Sequence, residues 1–161
     1  GRARPRVGLY GALGLSLALV PSCGLGERPP RFAPLAADAS TLVDLANGRE
    51  WQRCPSPQTV GPGGCVGDPV EESWRFANER CDPSQGWRLP SAEALAGLHR
   101  HRPTPVDFPP GLYWSRETDR SGFQFPDECC AVAVDMETGV RTEIELDGPN
   151  PFRCVRDTER L

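Results

Sequence analysis

The run Gly86-Trp87-Arg88-Leu89-Pro90-Ser91 constrains this chain more than any other short segment. Pro90 pushes its predecessor away from helical geometry, so a preceding helix has to end before Leu89. Ser91 can cap a new helix, and Glu93 sits in its first turn, where negative charge is favoured. The run therefore reads as a short, rigid, buried connector between two helices. Few architectures need such a connector with a Trp-Arg pair inside it.

The flanking residues supply both helices. Asp68 as N-cap, Pro69 at the first helical position and Glu71 and Glu72 in the first turn open one. Val70, Trp74, Ala77 and Cys81 then fall on one helical face, which turns Cys81 toward the core and a cysteine from another element. The second helix runs from Ser91 to about Arg102 with Leu95 and Leu98 inward, and Pro103 stops it.

Before the helices, Thr41 to Leu45 alternates as a strand. Asn47-Gly48 is a type I′ hairpin signal, and Arg49 to Cys54 returns. Pro55 to Gly67 reads as a loop bracketed by Cys54 and Cys65, which a local bridge would close. After a second loop, Pro103 to Gly111, the pattern changes to strands: Leu112 to Ser115, Cys130 to Met136, Val140 to Leu146 and Phe152 to Arg156. This order is an α+β layout, with two helices packed on a mostly antiparallel sheet with long loops. The first and last strands could pair, and a Cys81–Cys154 bridge could staple helix to sheet.

The first 22 residues carry the marks of an export signal. Arg2, Arg4 and Arg6 precede an apolar run, Val7 to Val20, that is short and glycine-rich for a membrane span. It ends at Val20-Pro21-Ser22-Cys23, which resembles a bacterial lipobox with Cys23 as the lipidated residue; an ordinary cleaved signal is the alternative. Residues 23–40 are expected to form a tether, 41–157 the folded domain and 158–161 a tail. Three of the 18 basic residues lie in the leader, which leaves 15 against 22 acidic ones, a net −7. That balance argues against nucleic acid and against attraction to anionic membranes, so membrane contact is expected only through a lipid anchor.

Cys54, Cys65, Cys81, Cys129, Cys130 and Cys154 make an even six in an exported chain, and disulfides are the expected state. No Cys-x-x-Cys motif points to zinc. Neighbours on a strand face opposite sides, so Cys129 and Cys130 are expected to split, one inward and one toward Cys54 or Cys65. A vicinal bridge and a redox-active thiol pair are the other options.

In order along the chain, these blocks resemble the Lcl C-terminal domain family, which has a C-type-lectin-like fold. The resemblance rests on Val43-Asp44, Asn47-Gly48 and Trp51-Gln52-Arg53-Cys54, then Trp74, Ala77 and Cys81. It continues through Trp87-Arg88-Leu89-Pro90, Glu93 to Leu95, Tyr113-Trp114-Ser115, Val134-Asp135 to Gly139, and Arg153-Cys154-Val155-Arg156. It implies a compact lectin-like module of the bacterial cell surface or envelope, in a wider fold group that includes glycan-binding and formylglycine-generating proteins. Fold alone does not assign function.

Each candidate site has a plain structural reading beside it. Trp51, Trp74, Trp87 and Trp114 are expected in the core. Arg88 is expected to tie the connector to carbonyls or a carboxylate. Calcium, used by many lectins of this fold, would need Asp127, Glu128, Asp135 and Asp147 to converge; a solvated acidic rim is favoured and no cofactor is expected. His99 and His101 do not share a helical face, and Ser115 has no histidine partner in any recognisable triad. The expectation is a non-catalytic exported module that binds a glycan or an envelope protein through loops at Pro103 to Glu128 and Asp147 to Pro151. An enzyme related to the formylglycine-generating proteins and a purely structural lipoprotein are the alternatives.

Overall fold

A computed structural model describes residues 30–101, 109–118 and 129–158. The expected export signal, Cys23, Asp127 and Glu128 lie outside the described residues, as do most of the loop from Pro103 to Gly111 and residues 119–128. The first sheet contains β1 (Phe32–Leu35), β2 (Asp38–Asp44), β3 (Glu50–Gln52) and, at its far edge, β9 (Val155–Arg156). Between β3 and β9 the chain forms a small hairpin, β4 (Thr59–Gly61) and β5 (Gly64–Val66). The helices α1 (Trp74–Arg80) and α2 (Ala92–His101) follow, then a second sheet of β6 (Leu112–Thr118), β7 (Cys130–Asp135) and β8 (Arg141–Glu145). All strand pairs are antiparallel. This is the layout that the C-type-lectin-like fold implies: first and last strands in one sheet, two helices, and disulfides across them.

Several sequence expectations are corrected. The tether does not reach residue 40: Phe32 is buried and β1 pairs with β2, so the folded unit starts upstream of Thr41. The last strand pairs with β3, the returning strand of the hairpin, not with its first strand. Asn47-Gly48 does not form a type I′ turn, because only Gly48 has positive φ (+76°) and the primed turn needs both residues there. Instead the Asp44 carbonyl accepts from both Asn47 N–H and Gly48 N–H, which makes a wider loop. The expected loop at 55–67 contains the β4–β5 hairpin, and Cys54–Cys65 ties it down. The first helix starts at Trp74, not after Asp68. The reason is that Glu72 exchanges backbone hydrogen bonds with Asn150 (3.1 and 3.2 Å), which holds that stretch extended.

The connector does more than join helices. A 3-10 turn, Pro83–Gln85, ends at Gly86 in the left-handed region, and Arg88 then exchanges two backbone hydrogen bonds with Val155 (2.9 and 2.8 Å). It thus extends the first sheet by one residue beyond β9. Leu89 is fully buried, Ser91 Oγ accepts from Ala94 N–H, and the Glu117 carboxylate accepts from Ala92 N–H. These two acceptors satisfy donors that every helix N-terminus leaves free.

Period-2 alternation explains how one sheet serves two cores. Tyr113 and Val134 pack with Leu42, Trp51, Leu95 and Leu98 under α2. Trp114, Ala131 and Ala133 face the other way and pack with Ala77, Leu89 and Phe152 beside α1. The small alanines on β7 leave room for the Trp114 indole. The Cys81–Cys154 bridge runs through this second core and joins the end of α1 to the residue before β9.

Candidate functional site

Two of the four tryptophans are core residues, Trp51 and Trp114, at 2% and 0% exposure. Trp74 and Trp87 are half-buried and pack against the edge of the second core. Trp87 lies under the Arg156 guanidinium, 4.5 Å from its ring centre, and Arg156 also donates to Glu50. Arg88 finds the expected carboxylate, donating to Asp157 at 2.6 Å, and Arg49 shares that partner. The guanidinium beside it, followed by weaker effects of burial and Arg49, leaves the Asp157 carboxyl below its usual range. Arg153 is buried, donates to the carbonyls of Gln52 and Arg53, and lies 5.6 Å from the Tyr113 ring centre. These motif residues hold the fold; of them Trp51 also borders the cavity between the β2–β3 loop and α2.

Trp74 is different. Its indole N–H donates to Ser115 carbonyl (2.7 Å) and its backbone N–H to Leu146 carbonyl (2.8 Å), so the ring is fixed at both ends. It lines a cavity of about 380 Å³ with Arg75, Cys129, Glu145, Leu146 and Asp147. The residues beside it are equally anchored. Leu146 N–H donates to Cys129 carbonyl and Gly148 N–H to Glu145 carbonyl, while the Glu72–Asn150 pair pins the loop beyond. The lining sets one fixed aromatic ring and Leu146 beside three charged side chains, a more polar wall than the mostly apolar one of a drug-type pocket.

Cys129 and Cys130 are bridged to each other, which corrects the expected split. Cys54 and Cys65 already use one another, as do Cys81 and Cys154, so no other partner is left among the described residues. Nothing in sequence spacing signals this, because it follows from which other cysteines meet. Cys129 is exposed and Cys130 half-buried, directly opposite Glu145 in the β7–β8 register.

Of the residues named for calcium, only Asp135 and Asp147 are described, and these two lie apart. Asp135 ends β7, where its carboxylate accepts from Glu137 and Thr138 N–H, and those bonds, Glu137 first, draw its carboxyl below the usual range. Asp147 follows β8 at the Cys130 end, a strand length of about 17 Å away. Among the described residues no group of three His, Cys, Asp or Glu is placed to hold a metal ion. His99 Nδ1 lies 3.0 Å from Met136 carbonyl and His101 is exposed. Ser115 is buried, and its hydroxyl donates to Val132 carbonyl where the β6–β7 ladder is interrupted. A second cavity, about 310 Å³, lies between the β2–β3 loop and α2, but its Arg31, Arg49 and Arg100 are occupied by Asp44, Asp157 and Glu93.

First and last strands in one sheet, at its two edges, two helices, a second three-stranded sheet and a disulfide from the end of α1 to the residue before β9 make a C-type-lectin-like fold. No family model matches the chain, and no curated protein does. Solved structures similar to it include botrocetin, with 14% identity over 66% of this chain and 99% of that one, at a TM-score of 0.40. A mutant von Willebrand factor A1 domain–botrocetin complex matches with 14% identity over 82% of this chain and 100% of that one, at 0.43. EMS16, an antagonist of the collagen receptor integrin alpha2beta1, matches with 17% identity over 65% of this chain and 99% of that one, at 0.36.

Proposed function

We propose that this chain is a non-catalytic, exported binding module of the bacterial envelope, akin to the Lcl C-terminal domain family, and that it binds glycans. The observation that carries the reading is the fixed, half-buried Trp74 lining a cavity with Arg75, Glu145 and Asp147. An indole offers an apolar face to sugar C–H groups, while guanidinium and carboxylates match hydroxyls as donors and acceptors. The three bridges involving all six cysteines from Cys54 to Cys154 support a binding role over thiol catalysis of the formylglycine-generating kind. The leader ending at Cys23 supports export with a lipid anchor.

A glycan array, run with calcium and with chelator, tests the reading. Binding to defined glycans that Trp74→Ala abolishes is the expected result. Silence under both conditions overturns it and leaves a protein partner or a structural lipoprotein role ahead. Fractionation tests the anchor: Cys23→Ser should move the chain from the membrane to the soluble fraction.

A further inference from the structure

The Cys129–Cys130 bridge has no evident role in holding the chain together. A disulfide stabilises chiefly by closing a loop in the unfolded chain, and a bridge between adjacent residues closes the smallest loop there is. Yet it is partly exposed, and Cys129 lines the same cavity as Trp74. The strand it begins is the one whose alanines pack with Trp114 beside α1, and the Cys129 carbonyl accepts from Leu146 N–H, whose own carbonyl accepts from Trp74 N–H. The bridge is therefore a rigid, polarizable, apolar surface in a cavity that sets Trp74 and Leu146 beside three charged side chains.

We infer that this cavity is a metal-free subsite for a single neutral pyranose ring, with the Cys129–Cys130 disulfide serving as an apolar contact surface alongside the Trp74 indole. The inference rests on the glycan-binding reading above. The neutral class follows from charge. Glu145 and Asp147 set two carboxylates against the single guanidinium of Arg75, so a uronic or sialic acid would bring a third negative charge. Carboxylates instead accept protons from sugar hydroxyls, and the guanidinium donates to a ring or hydroxyl oxygen. Two sulfurs locked in one position provide apolar contact without the rotamer entropy that a flexible side chain would lose on binding.

The test uses the full chain with its other two disulfides intact. Methyl pyranosides of glucose, galactose and mannose are titrated against wild type and against the C129A/C130A double variant in the presence of chelator, with tryptophan fluorescence as readout. Glucuronate serves as the charged comparison. At least one neutral pyranoside should bind wild type, at least tenfold more weakly to C129A/C130A, and glucuronate should bind at least tenfold more weakly than methyl glucoside. The double variant should keep the wild-type urea midpoint, since the lost loop is minimal. If it unfolds instead, Asp147→Asn, which leaves all bridges in place, takes its place and should also weaken the neutral sugar about tenfold. Equal sugar binding by wild type and the cavity variant overturns the subsite while leaving glycan binding by the module standing. Tighter binding of glucuronate overturns the neutral class. A chain that binds no glycan on the array overturns both readings.

Discussion

Asp44 shows how much one side chain can carry. Its carboxylate is almost fully buried and receives two bonds from Arg31, both 2.8 Å, and one from Ala46 N–H. Burial by itself pushes the carboxyl up, but the Arg31 and Ala46 donors outweigh it and the group ends below its usual range. The folded chain therefore binds this proton less readily than the unfolded chain does. Stability from the pair is complete above the ordinary carboxyl value of about 4 and is lost as pH falls through the lower folded value. Asp44→Asn should cost about 2 kcal/mol at neutral pH. The gap between variant and wild type in urea midpoint should narrow at pH 3, and an equal gap at both pH values would contradict the assignment. Asp44 was legible as part of a hairpin motif. Its partner was not, because Arg31 lies in a stretch with no apolar periodicity and reads as tether.

Among elements, the disulfides divide by what they enclose. Cys81–Cys154 spans 73 residues, Cys54–Cys65 spans 11 and Cys129–Cys130 spans one. Loop-closure entropy predicts stability losses in that order on replacement by alanine pairs, about 4 kcal/mol for the first, about 3 for the second and far less for the third. Guanidinium unfolding of the three double variants checks it, and a larger loss for C129A/C130A than for C54A/C65A would break the argument. The inward face of α1 was readable from Trp74, Ala77 and Cys81, and α2 from its cap and Leu95 and Leu98, because helical period needs only local sequence. The start of α1 was not readable. Asp68-Pro69 has strong local propensity, yet Glu72 gives its backbone bonds to Asn150, nearly eighty residues away, and a tertiary ladder outweighs a cap. Likewise, the β4–β5 hairpin hides in a run of Pro and Gly whose composition reads as loop.

For the whole molecule, the position of β1 sets the boundary of the folded unit. Phe32 belongs to the core under α2, and Arg31 neutralises buried Asp44. A chain that begins at Thr41 should lose more than about 3 kcal/mol, the scale of deleting a buried phenylalanine, whereas one that begins at Pro30 should unfold at the wild-type midpoint. Comparing their denaturation curves decides between the two boundaries. No helix among the described residues is long and apolar enough to cross a membrane. The sequence by itself determined the α+β order and the inward helical faces, and offered Cys54–Cys65 and Cys81–Cys154 among open pairings, because periodicity, caps and short loops are local properties. Only the tertiary structure decided which strand β9 joins, that Cys129 and Cys130 have each other alone, and which tryptophan stays half-open beside a cavity. Those outcomes depend on which distant groups reach one another first and satisfy one another's bonds. The same Trp-Arg-Leu-Pro run that signalled two helices proved to be a sheet edge as well, since the open backbone of β9 was there to pair with it.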